Sequence, residues 1–208
     1  MSRKSLTTFV VLKKKIINLA TLLFDNYDSF TFNILHYLEA EGEDVVVVTN
    51  NTFQPEDVLS YDKLIISPGP GLPQESGVLM QTLEYAWGKM PILGVCLGMQ
   101  AIALHAGFEL YNLQEPLHGR SRAVSHTSSG LFQGVSNPTS VGLYHSWAVK
   151  ESSVDNWEFN ARTLDGIAMG LCNVELNIHA VQFHPESIMT PEGREMLRNF
   201  LRLSILVP

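Results

Sequence analysis

This chain lacks most of the features that assign a protein quickly. Among 208 residues there are only two cysteines, Cys96 and Cys172. Neither belongs to a Cys-x-x-Cys pair, which argues against a disulfide framework and against a zinc site. No apolar run is long enough to cross a bilayer. Basic charge is scarce. The 14 Lys and Arg are outnumbered by 21 Asp and Glu, leaving a formal net charge of -7. That balance gives no electrostatic support to nucleic-acid binding and favours solubility instead. Acids are missing altogether before Asp25, while Arg3, Lys4, Lys13, Lys14 and Lys15 fall in that stretch. Its apolar piece, Phe9 to Leu12, is too short for a secretory signal core. A basic, acid-free start fits either a simple extension or a transit peptide. Internal repeats and low-complexity tracts are also missing.

What is present suits one globular domain. The hydrophobic share is 45%, enough for a real core at this length. The first half alternates strand and helix signals. Ile16 to Phe24 is apolar and ends at the polar turn Asp25 to Asp28. Asp28 or Ser29 can cap a helix to about Glu41, with Phe30, Ile34 and Leu38 on one face. Val45 to Val48 is a continuous β-branched run, the pattern of a strand buried on both faces. Lys63 to Ser67 and Pro91 to Val95 are further strands, and Val78 to Trp87 and Leu97 to His105 further helices. Such alternation predicts an α/β fold with an open, mostly parallel sheet and helices on both faces. From Phe108 to Asn177 the chain breaks into short strand-like pieces with Ser, Gly and Asn turns. These predict additional antiparallel strands laid against the parallel sheet. Ile178 to Phe183 is a last strand, and a closing helix begins near Pro191. Open parallel sheets bind ligands beyond the carboxyl ends of their strands. Asp25 to Asp28, Pro68 to Gly71, Cys96 and His184 to Glu186 all fall at such ends.

Gly94-Val95-Cys96-Leu97-Gly98 follows an apolar strand and precedes a helix. That is the pattern of a nucleophile elbow, with Cys in place of Ser. The alternative is a small buried residue, which is the reading for Cys172 in Met169 to Asn173. Flanking glycines have no use in a plain core strand and favour the nucleophile at Cys96.

A thiol nucleophile needs a base. Of seven histidines, His36, His105, His118, His126, His145, His179 and His184, the last ends an apolar strand and is followed by Pro185 and Glu186. Residues i and i+2 of extended chain face the same side. Glu186 can therefore orient one imidazole nitrogen of His184 and leave the other for the thiol. An oxyanion site needs N–H donors. Leu97 N–H, just after the nucleophile, is one candidate. Gly71 N–H, in the loop Pro68-Gly-Pro-Gly71, is the other, since Pro70 has none. Gln100 lies one helical turn beyond Cys96 and can hold a polar substrate near the sulfur.

In this order the pieces resemble the class I, or triad, glutamine amidotransferases, and among them the glutaminase subunits of anthranilate and aminodeoxychorismate synthases. The matching blocks are Asp25 to Thr31 with Asn33, Ser67 to Gly71, Gly94 to Gly98 with Gln100, His118-Gly119, Tyr144 to Ser146, and Gln182 to Ser187. They cover the chain from about Thr21 onward, so residues 1–20 form a basic extension and 21–208 the amidotransferase domain. The resemblance implies a flavodoxin-like sheet and a catalytic triad of Cys96, His184 and Glu186. It implies that glutamine is held by Gly69, Pro70, Gly71, Leu97, Gln100 and the Ser146-Trp147 backbone. It also implies a cytoplasmic subunit that hydrolyses glutamine and passes ammonia to a chorismate-binding component I, making anthranilate. The close alternative is an aminodeoxychorismate synthase. More distant ones are a cysteine peptidase-like hydrolase and a regulatory subunit that kept the fold. No metal or cofactor is expected in this chain; Mg belongs to the family's chorismate-binding partner. No membrane or nucleic-acid partner is expected. Three positions depart from the usual pattern. Met99 stands where His often follows Cys-Leu-Gly, Arg120 where Lys follows His-Gly, and Trp147 where Leu is frequent.

Overall fold

A computed structural model describes residues 20–203. The strand expected from Ile16 is described only from β1, Thr21–Asp25, and the basic extension lies outside the described residues. The other elements are α1 (Thr31–Ala40), β2 (Val45–Thr49), β3 (Lys63–Ile66), α2 (Leu79–Ala86), β4 (Ile92–Val95) and α3 (Leu97–His105). There follow β5 (Glu109–His126), β6 (Thr139–Lys150), β7 (Glu158–Thr163), β8 (Ala168–Asn173), β9 (Ile178–Val181) and α4 (Gly193–Leu203).

The nine strands among the described residues join one sheet in the order β2-β1-β3-β4-β9-β8-β7-β5-β6. The first five pair in parallel, and the rest pair antiparallel. The parallel part has the flavodoxin-like order, whose switch point lies between β1 and β3. Side chains alternate cleanly between two cores. Leu22, Phe24, Leu64, Ile66 and Ile92 meet α2 and α3 on one face. Leu23, Ile65, Leu93 and Val95 meet α1 and α4 on the other.

Three expectations are corrected. Val45 to Val48 is not buried on both faces: β2 is an edge strand with one neighbour, and Val46 is exposed. A β-branched run shows β-propensity but cannot show how many neighbours the strand has. The antiparallel strands do not lie against the parallel sheet but continue it. They are also longer than expected, because β5 and β6 form one ladder that passes through irregularities near Asn112–Leu117 and His118–Arg120. Local kinks of this kind look like strand breaks in sequence. Finally, Phe30 stands outside α1's buried face, which is Thr31, Ile34 and Leu38.

Candidate active site

Cys96 alone makes the turn between β4 and α3. Its backbone adopts φ +53° and ψ -100°, a sparsely populated conformation for a residue with a side chain. The tightness explains both glycines. A Cβ on Gly98 would sit 2.6 Å from the carbonyl oxygen of Ile66 in β3, and one on Gly94 would sit 2.5 Å from the backbone of Gly98. Cys96 N–H donates to Val181 O at 2.8 Å, and the first α3 bond runs from Gln100 N–H to Cys96 O. The amides of Leu97, Gly98 and Met99 therefore open the helix without intrahelical acceptors.

β9 is paired beside β4, with Val181 opposite Val95. Three residues on, His184 arrives next to the elbow. His184 Nδ1 and Glu186 Oε1 are 2.6 Å apart, and both residues are 2% exposed. His184 N–H donates to Gly142 O of β6, and Thr190 Oγ1 donates to His184 O at 2.6 Å, which pins the segment. Phe30 and Tyr144 pack edge-on against the imidazole ring. Burial opposes charge on His184, but the Cys96 sulfur and the Glu186 carboxylate outweigh it and hold the imidazolium well above the ordinary histidine range. Nε2 makes no well-aligned hydrogen bond even so, while Cys96 is foremost of the two neighbours that raise the His184 pKa.

The Ser67 to Gly71 loop closes the site from β3. Asn26, just past β1, clamps it: its N–H donates to Ser67 Oγ at 2.9 Å and its side-chain amide to Ser67 O at 3.0 Å. Gly69 is wedged so tightly that a Cβ would lie 2.6 Å from both Asn26 Cβ and Leu97 Cδ2. Gly69, Pro70, Gly71, Cys96, Gln100, Ser146 and Trp147 all line one cavity of about 120 Å³. His184, Glu186 and Leu97 are not on that lining; the buried Leu97 side chain packs on Gly69. A larger cavity of about 580 Å³ opens at the opposite end of β4 and β9 among Met90, Cys172 and His179. It contains no residue nominated from sequence. Burial and the Glu158 charge push the Cys172 thiol up to about 11, so it is protonated at neutral pH. The residues nominated from sequence gather at the smaller cavity.

Four participants went unassigned in the sequence. His118, Tyr144 and His145 line the same cavity. Gln182, fully buried, donates from Nε2 to Cys96 Sγ at 3.6 Å. Gln182 was legible in principle, because it opens the Gln182 to Ser187 block and stands two residues before His184. His145 Nδ1 bonds Trp147 O at 2.8 Å; burial, with smaller effects of nearby His184 and His118, lowers its pKa to about 4, so it is neutral. Of the departures, Met99 is buried in the α2–α3 core and Arg120 is exposed on β5, neither lining the cavity.

A strained Cys turn, a buried His–Glu pair and a clamped Pro-Gly-Pro-Gly loop agree with comparison to known proteins. The family model "Glutamine amidotransferase class-I" matches residues 22–203. The chain belongs to the class I glutamine amidotransferases. The amidotransferase is 42% identical over 183 residues to an aminodeoxychorismate/anthranilate synthase component 2 of Bacillus subtilis (strain 168), covering 86% of this chain and 94% of that one. It is 42% identical over 190 residues to an anthranilate synthase component 2 of Pseudomonas aeruginosa, covering 87% and 94%. It is 41% identical over 183 residues to an aminodeoxychorismate synthase component 2 of Klebsiella aerogenes, covering 86% and 98%. Among solved structures, a protein of Thermoplasma acidophilum described as a putative GMP synthase subunit superposes with a TM-score of 0.78 at 27% identity, covering 90% and 94%. The amidotransferase is thus an enzyme of the component 2 kind, and its named relatives span both chorismate-using synthases.

Proposed function

We propose that this amidotransferase is the glutaminase of an anthranilate synthase, with Cys96, His184 and Glu186 as its triad. The observation that carries the reading is the buried 2.6 Å His184–Glu186 pair set beside the strained Cys96 turn. Glutamine enters the cavity with its side-chain amide over Cys96. Sulfur bonds the amide carbon, and the electron pair displaced onto oxygen is met by the N–H groups of Leu97 and Gly71. Each such donor contributes roughly 2.7–4 kcal/mol to the transition state. The pair then returns, the C–N bond breaks, and His184 gives its proton to the departing nitrogen, releasing ammonia. Water adds to the thioester with His184 taking its proton, and sulfur leaves as glutamate forms. Gly69, Pro70, Gly71, Gln100, Ser146 and Trp147 hold the substrate during both steps.

Ammonia must reach its acceptor before water protonates it, so the partner is a chorismate-binding component I docked over this face. No metal or cofactor acts in this chain; Mg serves the partner. We assign residues 21–208 to one amidotransferase domain and residues 1–20 to a basic extension, and place the chain in the cytoplasm. An aminodeoxychorismate synthase partner is the second reading, favoured by relatives of that name. Purifying the chain with each kind of component I and assaying chorismate with glutamine or ammonium tests both. Anthranilate from glutamine, lost in Cys96→Ala while ammonium-dependent product persists, is the expected result. Glutamine-dependent product surviving in Cys96→Ala would overturn the mechanism, and aminodeoxychorismate as the sole product would overturn the partner.

A further inference from the structure

Gln100 and Gln182 are side-chain amides at 0–3% exposure, and they form one chain from a backbone carbonyl to the reacting sulfur. Gln100 Nε2 lies 3.1 Å from Trp147 O and 3.2 Å from Gln182 Oε1, and Gln182 Nε2 lies 3.6 Å from Cys96 Sγ. An amide's oxygen and nitrogen ends are distinguished only by their partners. Here the partners leave no freedom. The Trp147 carbonyl can only accept, so Gln100 must turn its NH₂ toward it. The second hydrogen of that NH₂ then meets Gln182, which must present oxygen. Gln182 is left with N–H aimed at sulfur. His145, donating from Nδ1 to the same carbonyl, fixes the far end of the chain from β6.

We infer that Gln182 is a positioning residue of the thiol, the last link of an amide relay whose polarity is set by Trp147 O. The inference rests on Cys96 being the nucleophile. The relay does two things. It holds Sγ, which lies on the cavity lining, with an N–H donor in addition to His184, and a donor favours negative charge on sulfur. It also commits both donors of Gln100 internally, so Gln100 meets substrate through Oε1 alone, as an acceptor for an ammonium group. Because Trp147 belongs to the cavity wall, the strand that seats the substrate and the atom that attacks it are mechanically joined through two amides. Sequence separations of 47 and 82 residues between the bonded pairs mean that no local pattern could encode this.

The test uses the full chain and reads Cys96 directly. Gln182→Met keeps volume and removes both polar ends. Gln182→Glu keeps the acceptor for Gln100 and replaces the donor at sulfur by a carboxylate. The rate of Cys96 alkylation by iodoacetamide is followed against pH, alongside glutaminase kcat and KM with the synthase partner and circular dichroism for the fold. The expected result is a half-maximal alkylation pH raised by about one unit or more in Gln182→Met and further in Gln182→Glu. The kcat falls roughly 10–100-fold and KM for glutamine stays within about twofold. An unchanged alkylation profile in either folded variant, or a change in KM alone, overturns the relay. Should Gln182→Glu fail to fold, Gln182→Met alone decides. Alkylation needs neither glutamine nor partner, so an inactive wild-type complex would count against the proposed function while the pH profile still judges the relay.

Discussion

His184 and Glu186 sit on one tight turn, closed by Ser187 N–H on His184 O, rather than on the extended chain expected from sequence, and the turn brings Nδ1 and Oε1 to 2.6 Å with both side chains almost wholly removed from solvent. Pro185 occupies the turn between them, after His184 has made its last bridge to Gly142 of β6. The carboxylate fixes which imidazole nitrogen is free, and that nitrogen is on the Cys96 side.

Replacing Glu186 by Gln preserves shape and removes charge. The structure predicts that the His184 titration, followed by NMR, moves down, because one of the two negative groups that raise it is gone. Glutaminase kcat/KM should fall on the order of 10²–10⁴-fold, as for an orienting carboxylate made neutral. An unmoved His184 titration would show that Glu186 does not act on the imidazole.

The elbow stores strain that can be weighed. Cys96→Ala keeps a side chain at φ +53°, whereas Cys96→Gly relieves it. Both variants should lose glutaminase turnover by at least ~10³-fold. In urea unfolding the Gly variant should be the more stable of the two by about 1 kcal/mol, strain relief exceeding the added unfolded-state entropy. The reverse order would contradict a strained nucleophile turn.

Gly98→Ala tests the packing beneath the elbow. Its Cβ would meet the Ile66 carbonyl at 2.6 Å, and neither backbone can retreat without parting β3 from α3. A loss of about 1–3 kcal/mol is expected from the urea midpoint, with lower glutaminase activity in the folded fraction. A neutral midpoint would mean that α3 stands farther from β3.

Stability should depend on pH in a way set by buried histidines. His145 and His179, each held near pKa 4 chiefly by burial, stay neutral in the fold, while their unfolded forms bind protons below about 6.5. Their contribution is complete above pH 6.5 and drains away as pH falls toward 4. His184 has the opposite sign: its contribution is complete below pH 6.5 and is lost as pH rises toward its elevated value. Urea midpoints should therefore peak near pH 6.5. His179→Leu should flatten the acid limb by up to about 1.4 kcal/mol per pH unit, the weight of one proton. An acid limb of unchanged slope in that variant would place the buried charge elsewhere.

Much of this molecule is readable along the chain. Gly94 and Gly98 announce a turn that tolerates no Cβ, and the steric reason lies within a few residues and the adjacent strand. His184 and Glu186 do meet as the sequence proposed, but across a turn closed by Ser187 N–H on His184 O and not by the alternation of extended chain. The alternation of apolar runs gives the parallel α/β half. The same local view misjudged β2, since burial depends on neighbours a run of valines does not name. It also missed the length of β5 and β6, where a kinked strand looks like a broken one.

Residue order alone therefore nominates Cys96, His184 and Glu186 and gives the local geometry of the Cys96 elbow, because turn sterics act over a handful of residues. Which of the nominated groups meet depends on strands far apart along the chain. Sheet order puts β9 beside β4 and so His184 beside Cys96. The reach of β6 over the end of β9 sets Tyr144, His145 and Trp147 around the thiol. The polarity of Gln100 and Gln182 depends on a carbonyl contributed from that distant strand, and an amide has no preferred end until such a partner is in place.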